Sequence, residues 1–138
     1  EYTKFSNFRW VRIYSAEQLR GMVDKNYSVG RVKKIIILKR NVSGHIDKIK
    51  IVGSESSVEV ENELRIRKLF GNLRSSMFKV ETKYGKAGNS EEFIFYGGGW
   101  GHGVGMCQAG ACGMAKAGKL YKAILLHYFP RAVLKKSY

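Results

Sequence analysis

The chain has 138 residues, 44% of them hydrophobic and 26% charged, with two cysteines and a formal net charge of +14 at pH 7. These are ordinary globular proportions for one domain able to bury a core. The longest clean apolar run is Ile35-Ile36-Ile37-Leu38, which excludes a membrane-spanning helix of ~18 apolar residues, and Glu1-Tyr2-Thr3-Lys4 has neither the basic start nor the apolar stretch of a secretion signal.

In chain order, residues 8–14 alternate and predict a strand. Ser15 then opens a helix, because Ser15-x-x-Gln18 has capping-box spacing and Leu19, Met22 and Val23 share one face. Residues 26–30 break it. Residues 32–38 are rich in β-branched side chains and read as a strand central in its sheet. A turn at 41–44 leads to the alternating strand 46–52, and the two strands predict an antiparallel hairpin. Residues 57–60 make a third short strand. Asn62 caps a helix carrying Leu64, Ile66, Leu69 and Phe70, which Gly71 ends.

Residues 78–82 and 92–96 predict two further strands joined by a polar loop over 83–90. Residues 108–117 read as a helix of small residues, in which Gly110 and Gly113 each cost ~1 kcal/mol relative to alanine and make sense if a backbone or ligand packs close by. Residues 121–128 form a last helix with Ile124, Leu125 and Tyr128 on one face, stopped by Pro130. The expected fold is α+β, an antiparallel sheet with three or four short helices in a single compact domain, with residues 1–8 loose.

Charge narrows the partners. Lys plus Arg number 25 against 11 Asp plus Glu. Nucleic acid is the usual first guess for such a balance, an anionic bacterial envelope polymer is an equal electrostatic match, and a merely solvated surface is the plain alternative. No helix-turn-helix, RNP-type or finger motif is present, so no nucleic-acid partner is expected. Arg31, Lys33, Lys34, Lys39, Arg40, Lys48, Lys50, Arg65, Arg67 and Lys68 are spread along the chain, several of them alternating with apolar residues as on one wetted sheet face.

The most informative stretch is Gly97-Gly98-Gly99-Trp100-Gly101-His102-Gly103-Val104-Gly105-Met106-Cys107-Gln108, with six glycines in twelve positions. It reads either as a turn leading into a helix or as a backbone open to close approach by a ligand. Trp100 could stack on a sugar face or sit in the core. His102, flanked by Gly101 and Gly103, is the one candidate catalytic group, able to orient a hydroxyl or assist proton transfer near neutral pH. If Gln108 opens the following helix, its amide reaches the same ligand. Arg67 and Arg74 could bind carboxylates or form surface ion pairs. Ser75 and Ser76 lack a Gly-x-Ser-x-Gly context, which argues against a serine hydrolase. His127 reads as a core or capping histidine.

Breaking a glycosidic bond needs a carboxyl acid. Glu55, Glu59, Glu61 and Glu63 look like a solvated edge. Glu92 is better placed than Glu91, yet neither carries a motif. Cys107 and Cys112, at C-x₄-C spacing, are not a standard zinc pair. His102 and His127 could in principle complete a site with them, but on one short helix the thiols read as small apolar packing groups, and a disulfide there would fight the helix geometry. No metal or cofactor is expected.

From Gly99 to Pro130 the chain resembles the C-terminal signature of the SpoIID/LytB family of bacterial cell-wall proteins, approximately GWGHGVGMSQ-x-GA-x-GMA followed by IL-x-HYYPG. It departs from it at Cys107, Phe129 and Arg131, where the family usually has Ser, Tyr and Gly. A looser resemblance covers Trp10 with Ser15-Ala16-Glu17-Gln18-Leu19, Val42-Ser43-Gly44-His45-Ile46, and Arg67 through Phe78. The resemblance implies a peptidoglycan-remodelling protein, a lytic transglycosylase or an amidase enhancer, outside the cytoplasm. It implies glycan strands as partner, and other cell-wall proteins as further ones. On that basis Trp100, Gly101, His102, Gly103, Gln108, Arg74 and Ser75 form one wall of a glycan groove. The family's proposed catalytic glutamate lies in a Glu-x-Pro motif, and the single proline here is Pro130. The chain is therefore expected to be the C-terminal part of such a domain and to be catalytically silent alone. The alternative is a non-catalytic module that binds an anionic wall polymer or a partner protein.

Overall fold

The computed structural model describes residues 8–103 and 105–135, which fall into two compact units, one ending at His102 and the other beginning at Gly103. The segment expected to be loose lies, Phe8 apart, outside the described residues. The fold is α+β, as expected, with the strands divided between two antiparallel sheets. In the first unit β1 (Arg9–Ser15), β6 (Ser90–Gly98) and β5 (Phe78–Tyr84) form one sheet in the order β1-β6-β5. A second contains β2 (Val32–Arg40), β3 (Ile46–Gly53) and β4 (Ser57–Glu61) in the order β2-β3-β4. Helices α1 (Ala16–Val23) and α2 (Glu63–Leu69) complete the unit.

Ser15 serves two elements at once. It ends β1 and caps α1, its hydroxyl accepting from the Gln18 amide at 3.1 Å while the Gln18 side chain accepts from the Ser15 amide at 3.0 Å. Strand thus becomes helix with no intervening loop, and Leu19 and Val23 are driven into the core. In the second sheet Ile51 lies opposite Ile35 and Val58, and Ile49 opposite Ile37 and Val60. That face is buried. On the other, Lys48 and Lys50 face Glu61 and Glu59.

β2 is an edge strand, not a central one. Its unbroken apolar run resembles a strand buried on both faces, but Leu38 is exposed. β1 is likewise an edge, with Val11 and Ile13 exposed on it.

Asn62 caps α2, its side chain accepting from the amides of Leu64 and Arg65 at 3.0 and 3.4 Å. Ile66, Leu69 and Phe70 are buried, whereas Leu64 is exposed. The polar loop expected over 83–90 is present but shorter, with strand at both of its ends. β5 continues through Tyr84, Lys83 pairs with Glu92 across the ladder at 2.9 Å, and only residues 85–89 turn. The strand runs past the expected boundary because opposite charges facing across two strands support pairing.

The core joins both sheets and both helices. At its centre the Phe70, Phe78 and Phe95 rings lie 5.0–6.4 Å apart, and Tyr14 meets Phe95 edge-on at 5.5 Å while its hydroxyl donates to the Phe70 carbonyl at 2.8 Å. The sheets are tied directly by the Ser90 hydroxyl donating to the Val32 carbonyl at 2.6 Å, and the segment leading into β5 is tied to β3 by the Ile46 amide donating to the Ser76 carbonyl at 3.0 Å.

The second unit carries α3 (Gln108–Lys116) and α4 (Tyr121–Tyr128), with Gly110, Met114 and Ile124 buried. Gly110 answers the expectation of close packing, since a β-carbon there would run into the Tyr128 hydroxyl.

Phe95→Ala is expected to lower the unfolding free energy by about 3–5 kcal/mol, and Leu38→Ala by about 0.5 kcal/mol or less. Urea titrations of the two variants give the comparison, and equal losses would contradict the edge placement of β2.

Candidate functional site

The end of β6 builds the site. Trp10 on β1 lies opposite Gly97, and its indole covers the space a β-carbon at Gly97 would need. Its Nε1 donates to the Gly99 carbonyl at 3.1 Å. The Gly98 amide donates to the Met77 carbonyl at 2.9 Å, the Gly99 amide to the Phe8 carbonyl at 2.8 Å, and the Gly101 amide to the Arg74 carbonyl at 2.8 Å. The buried Ser75 hydroxyl donates to the Gly98 carbonyl at 2.6 Å and accepts from the Met77 amide at 3.2 Å. The glycine-rich backbone is thus held on one side by β1 and on the other by the segment that leads into β5.

What this framework presents is Trp100. The side chain is 77% exposed, and so outside the core, with the guanidinium carbon of Arg74 at 5.0 Å from its ring centroid. His102 is exposed as well. Of the residues grouped by sequence, Trp100, Gly101, His102, Arg74 and Ser75 belong to the first unit, where Ser75 lies beneath the surface and positions the turn. Gly103 and Gln108 belong to the second unit. Gln108 is the first residue of α3, and its side chain is exposed. The Arg74–Trp100 pairing has no signature in the sequence, because the two residues are 26 positions apart and only the fold joins them.

Other candidates have different partners. Arg67 donates through Nε to the Leu73 carbonyl at 2.8 Å and pairs with Glu63 at 3.6 Å, so it fixes the exit of α2. Glu92 pairs with Lys83 and lies opposite Ser15, six residues along β6 from Gly98, roughly 20 Å at strand rise. Ser76 is buried, its hydroxyl without a partner among the described residues.

His127 is exposed in the last turn of α4, its ring 4.9 Å from that of Tyr128, and so is not a core residue. Cys107 and Cys112 are free and exposed rather than packed as apolar groups. Cys107 is the N-cap of α3 and accepts from the Gly110 amide at 3.4 Å. Burial, and secondarily Cys107, push the Tyr128 phenol above its ordinary range. Among the described residues no group of three or more His, Cys, Asp or Glu side chains is arranged to hold a metal ion.

A minority of the positive charge is internally paired. Lys48 lies between Glu59 and Glu61 at 2.7 and 2.9 Å, Lys39 contacts Asp47 at 3.0 Å, and Lys79 contacts Glu81 at 2.7 Å. Among the described residues Lys33, Lys34 and Lys50 form no such pair. The hydrogen bond from Lys48, and then its charge, hold the Glu59 carboxyl below its ordinary range. A carboxyl depressed in the fold stabilises it above the unfolded value of about 4.3 and loses that contribution as pH falls through its folded value.

In Lys48→Met the Glu59 carboxyl is therefore expected to titrate closer to the ordinary value. Carbon-detected NMR of its side chain reads this directly, and an unmoved midpoint would exclude Lys48 as the cause. Ser75→Ala leaves the buried Gly98 carbonyl without its donor and is expected to cost about 1–3 kcal/mol, whereas Trp100→Ala, at an exposed position, changes stability by about 0.5 kcal/mol or less. Thermal and chemical denaturation distinguish the two.

The fold and this turn define a class, an α+β domain in which a glycine-ended strand carries an exposed aromatic turn. Residues 1–105 match the family described as Domain of unknown function (DUF8618), and the chain belongs to that family. The match takes in every strand of both sheets and ends before α3 begins. An uncharacterised protein of Brachyspira hyodysenteriae is 34% identical over 122 residues, which is 87% of this chain and 30% of that protein. The chain thus spans less than a third of the length of that relative.

Proposed function

We propose that the chain contributes one wall of a glycan-strand-binding groove in a bacterial cell-wall remodelling protein of SpoIID-like type, acting outside the cytoplasm. The observation that carries this is Trp100, a large aromatic ring held in solvent at the tip of a backbone fastened by five hydrogen bonds to main chain or to buried and half-buried side chains. An exposed, preorganised aromatic surface with an imidazole two residues on is suited to the apolar face and hydroxyl rim of a sugar ring. The run of matching residues from Gly99 to Pro130 supports the same reading. Trp100 supplies the stacking surface, His102 a hydrogen bond or proton, and Ser75 and Gly101 the geometry. In the whole protein the general acid comes from elsewhere, and this chain alone is silent.

A second reading is a non-catalytic binder of an anionic wall polymer. Lys33, Lys34 and Lys50, which have no ion pair among the described residues, favour it.

Isothermal titration with purified glycan strands tests both. Under the first reading Trp100→Ala weakens binding about thirtyfold, the loss of one aromatic anchor worth about 2 kcal/mol, and His102→Ala weakens it less. Under the second, both variants bind as the parent does, and affinity falls steeply with salt. Turnover of glycan by the 138-residue chain would overturn the assignment of the acid to another part of the protein.

A further inference from the structure

β1 borders its sheet, in the order β1-β6-β5, and so has a neighbouring strand on one side only. The ladder decides which of its main-chain groups are left over. The Gly99 amide donates to the Phe8 carbonyl at 2.8 Å, while the Gly98 amide turns the other way, to the Met77 carbonyl at 2.9 Å. In an antiparallel pair these roles alternate along the strand. Trp10, Arg12 and Tyr14 are therefore bonded to β6 through Gly97, Phe95 and Phe93. The N–H and C=O groups of Arg9, Val11 and Ile13 face away from β6, and among the described residues they have no protein partner.

The side chains along this edge are apolar and cationic. Val11 and Ile13 are 52% and 55% exposed. Opposite Ile13 stands Ile94, which lies between the core residues Phe93 and Phe95 and therefore faces the outer side of the sheet. Arg9 shares the face of Val11 and Ile13, and Arg12 lies on the other face of the strand. Both arginines are exposed and without an ion pair among the described residues, and β1 contains no acidic residue. The far edge of the same sheet, β5, differs, because its Lys79, Glu81 and Lys83 are already in ion pairs.

We propose that β1 is a docking edge to which an extended segment of another protein adds as an antiparallel fourth strand, with the pattern apolar-acidic-apolar-x-acidic. Arg9, Val11 and Ile13 exchange main-chain hydrogen bonds with it, which supplies affinity. Its apolar residues lie against Ile13 and Val11, and its carboxylates against Arg12 and Arg9, which sets register and specificity. A second copy of the chain is a poor occupant, since it would bring the same two arginines to the edge between molecules that each carry +14. Neither Trp100 nor a saccharide takes part, so this docking does not rest on glycan binding.

The probe is a blocked peptide, Thr-Val-Glu-Val-Thr-Glu-Thr, with Thr-Val-Lys-Val-Thr-Lys-Thr as its control, added to the 138-residue chain. Amide hydrogen exchange followed by NMR reads the edge. In the free chain the amides of Trp10, Arg12 and Tyr14 are expected to exchange slowly and those of Arg9, Val11 and Ile13 fast. The acidic peptide is expected to slow the second set by about tenfold or more, the scale of a site mostly occupied, and the lysine control is not. Val11→Pro removes an outward-facing N–H and leaves the bonds to β6 in place. It is expected to abolish the slowing at Arg9 and Ile13 while Trp10 and Arg12 remain slow, which shows that the strand is intact. Replacing both arginines, Arg9→Gln with Arg12→Gln, is expected to weaken peptide binding by about tenfold. No slowing of the three amides at any peptide concentration, equal slowing by the lysine control, or undiminished slowing in Val11→Pro overturns the proposal. Slowing that grows with chain concentration in the absence of peptide overturns the choice of partner and gives the edge to a second copy.

Discussion

The contact on which the rest depends is between an indole and a missing side chain. Trp10 occupies the volume above Gly97, so β6 can pass beneath it and continue into the glycine-rich turn. The same indole donates to the Gly99 carbonyl, and its ring packs 6.4 Å from Phe78. One side chain therefore links the aromatic core to the backbone that presents Trp100. Any side chain larger than hydrogen at position 97 would displace this wedge and loosen core and turn together. The two tryptophans are thereby coupled with opposite exposures, one inside and holding, the other outside and displayed.

Charge is organised on the same principle of reuse. The carboxylates of Glu59, Glu61, Asp47, Glu81 and Glu92 each neutralise a nearby lysine on a sheet surface. Exposed pairs of this sort add little to stability, so their main effect is on the pattern of potential that an anionic partner meets. Arg74 differs from them because its nearest neighbour is a π face and not a carboxylate.

The elements were legible wherever a local rule decides them. The Ser15–Gln18 capping box, the Asn62 cap, the 46–52 alternation and the Pro130 stop each act over a few residues, and each places its element within a residue or two. Errors arose where partners are distant. The apolar run at 35–38 could not disclose that its sheet stops at β2, and the polar start of the 83–90 loop did not disclose that β5 runs on through Tyr84, pairing across the ladder. The candidate site divides in the same way. Glycine spacing marked the turn and its accessible histidine. The burial of Ser75 and the seating of Arg74 on Trp100 follow from long-range packing of the 73–78 segment against β6, to which no short motif points.

The two outer strands have a consequence for solubility. β2 borders its sheet with Lys33, Lys34, Lys39 and Arg40, a charged fringe that discourages another chain from adding on. β1 is guarded less well: Val11 and Ile13 stand more than half exposed, with Arg9 and Arg12 as the interspersed charges. Molecules carrying +14 repel one another, and this long-range repulsion protects the weaker edge. An anionic polymer that gathered many copies would remove the repulsion at the very place where the copies are most concentrated. Under the proposed binding to an anionic polymer, the charge that would favour recruitment is therefore also the charge that keeps β1 edges apart.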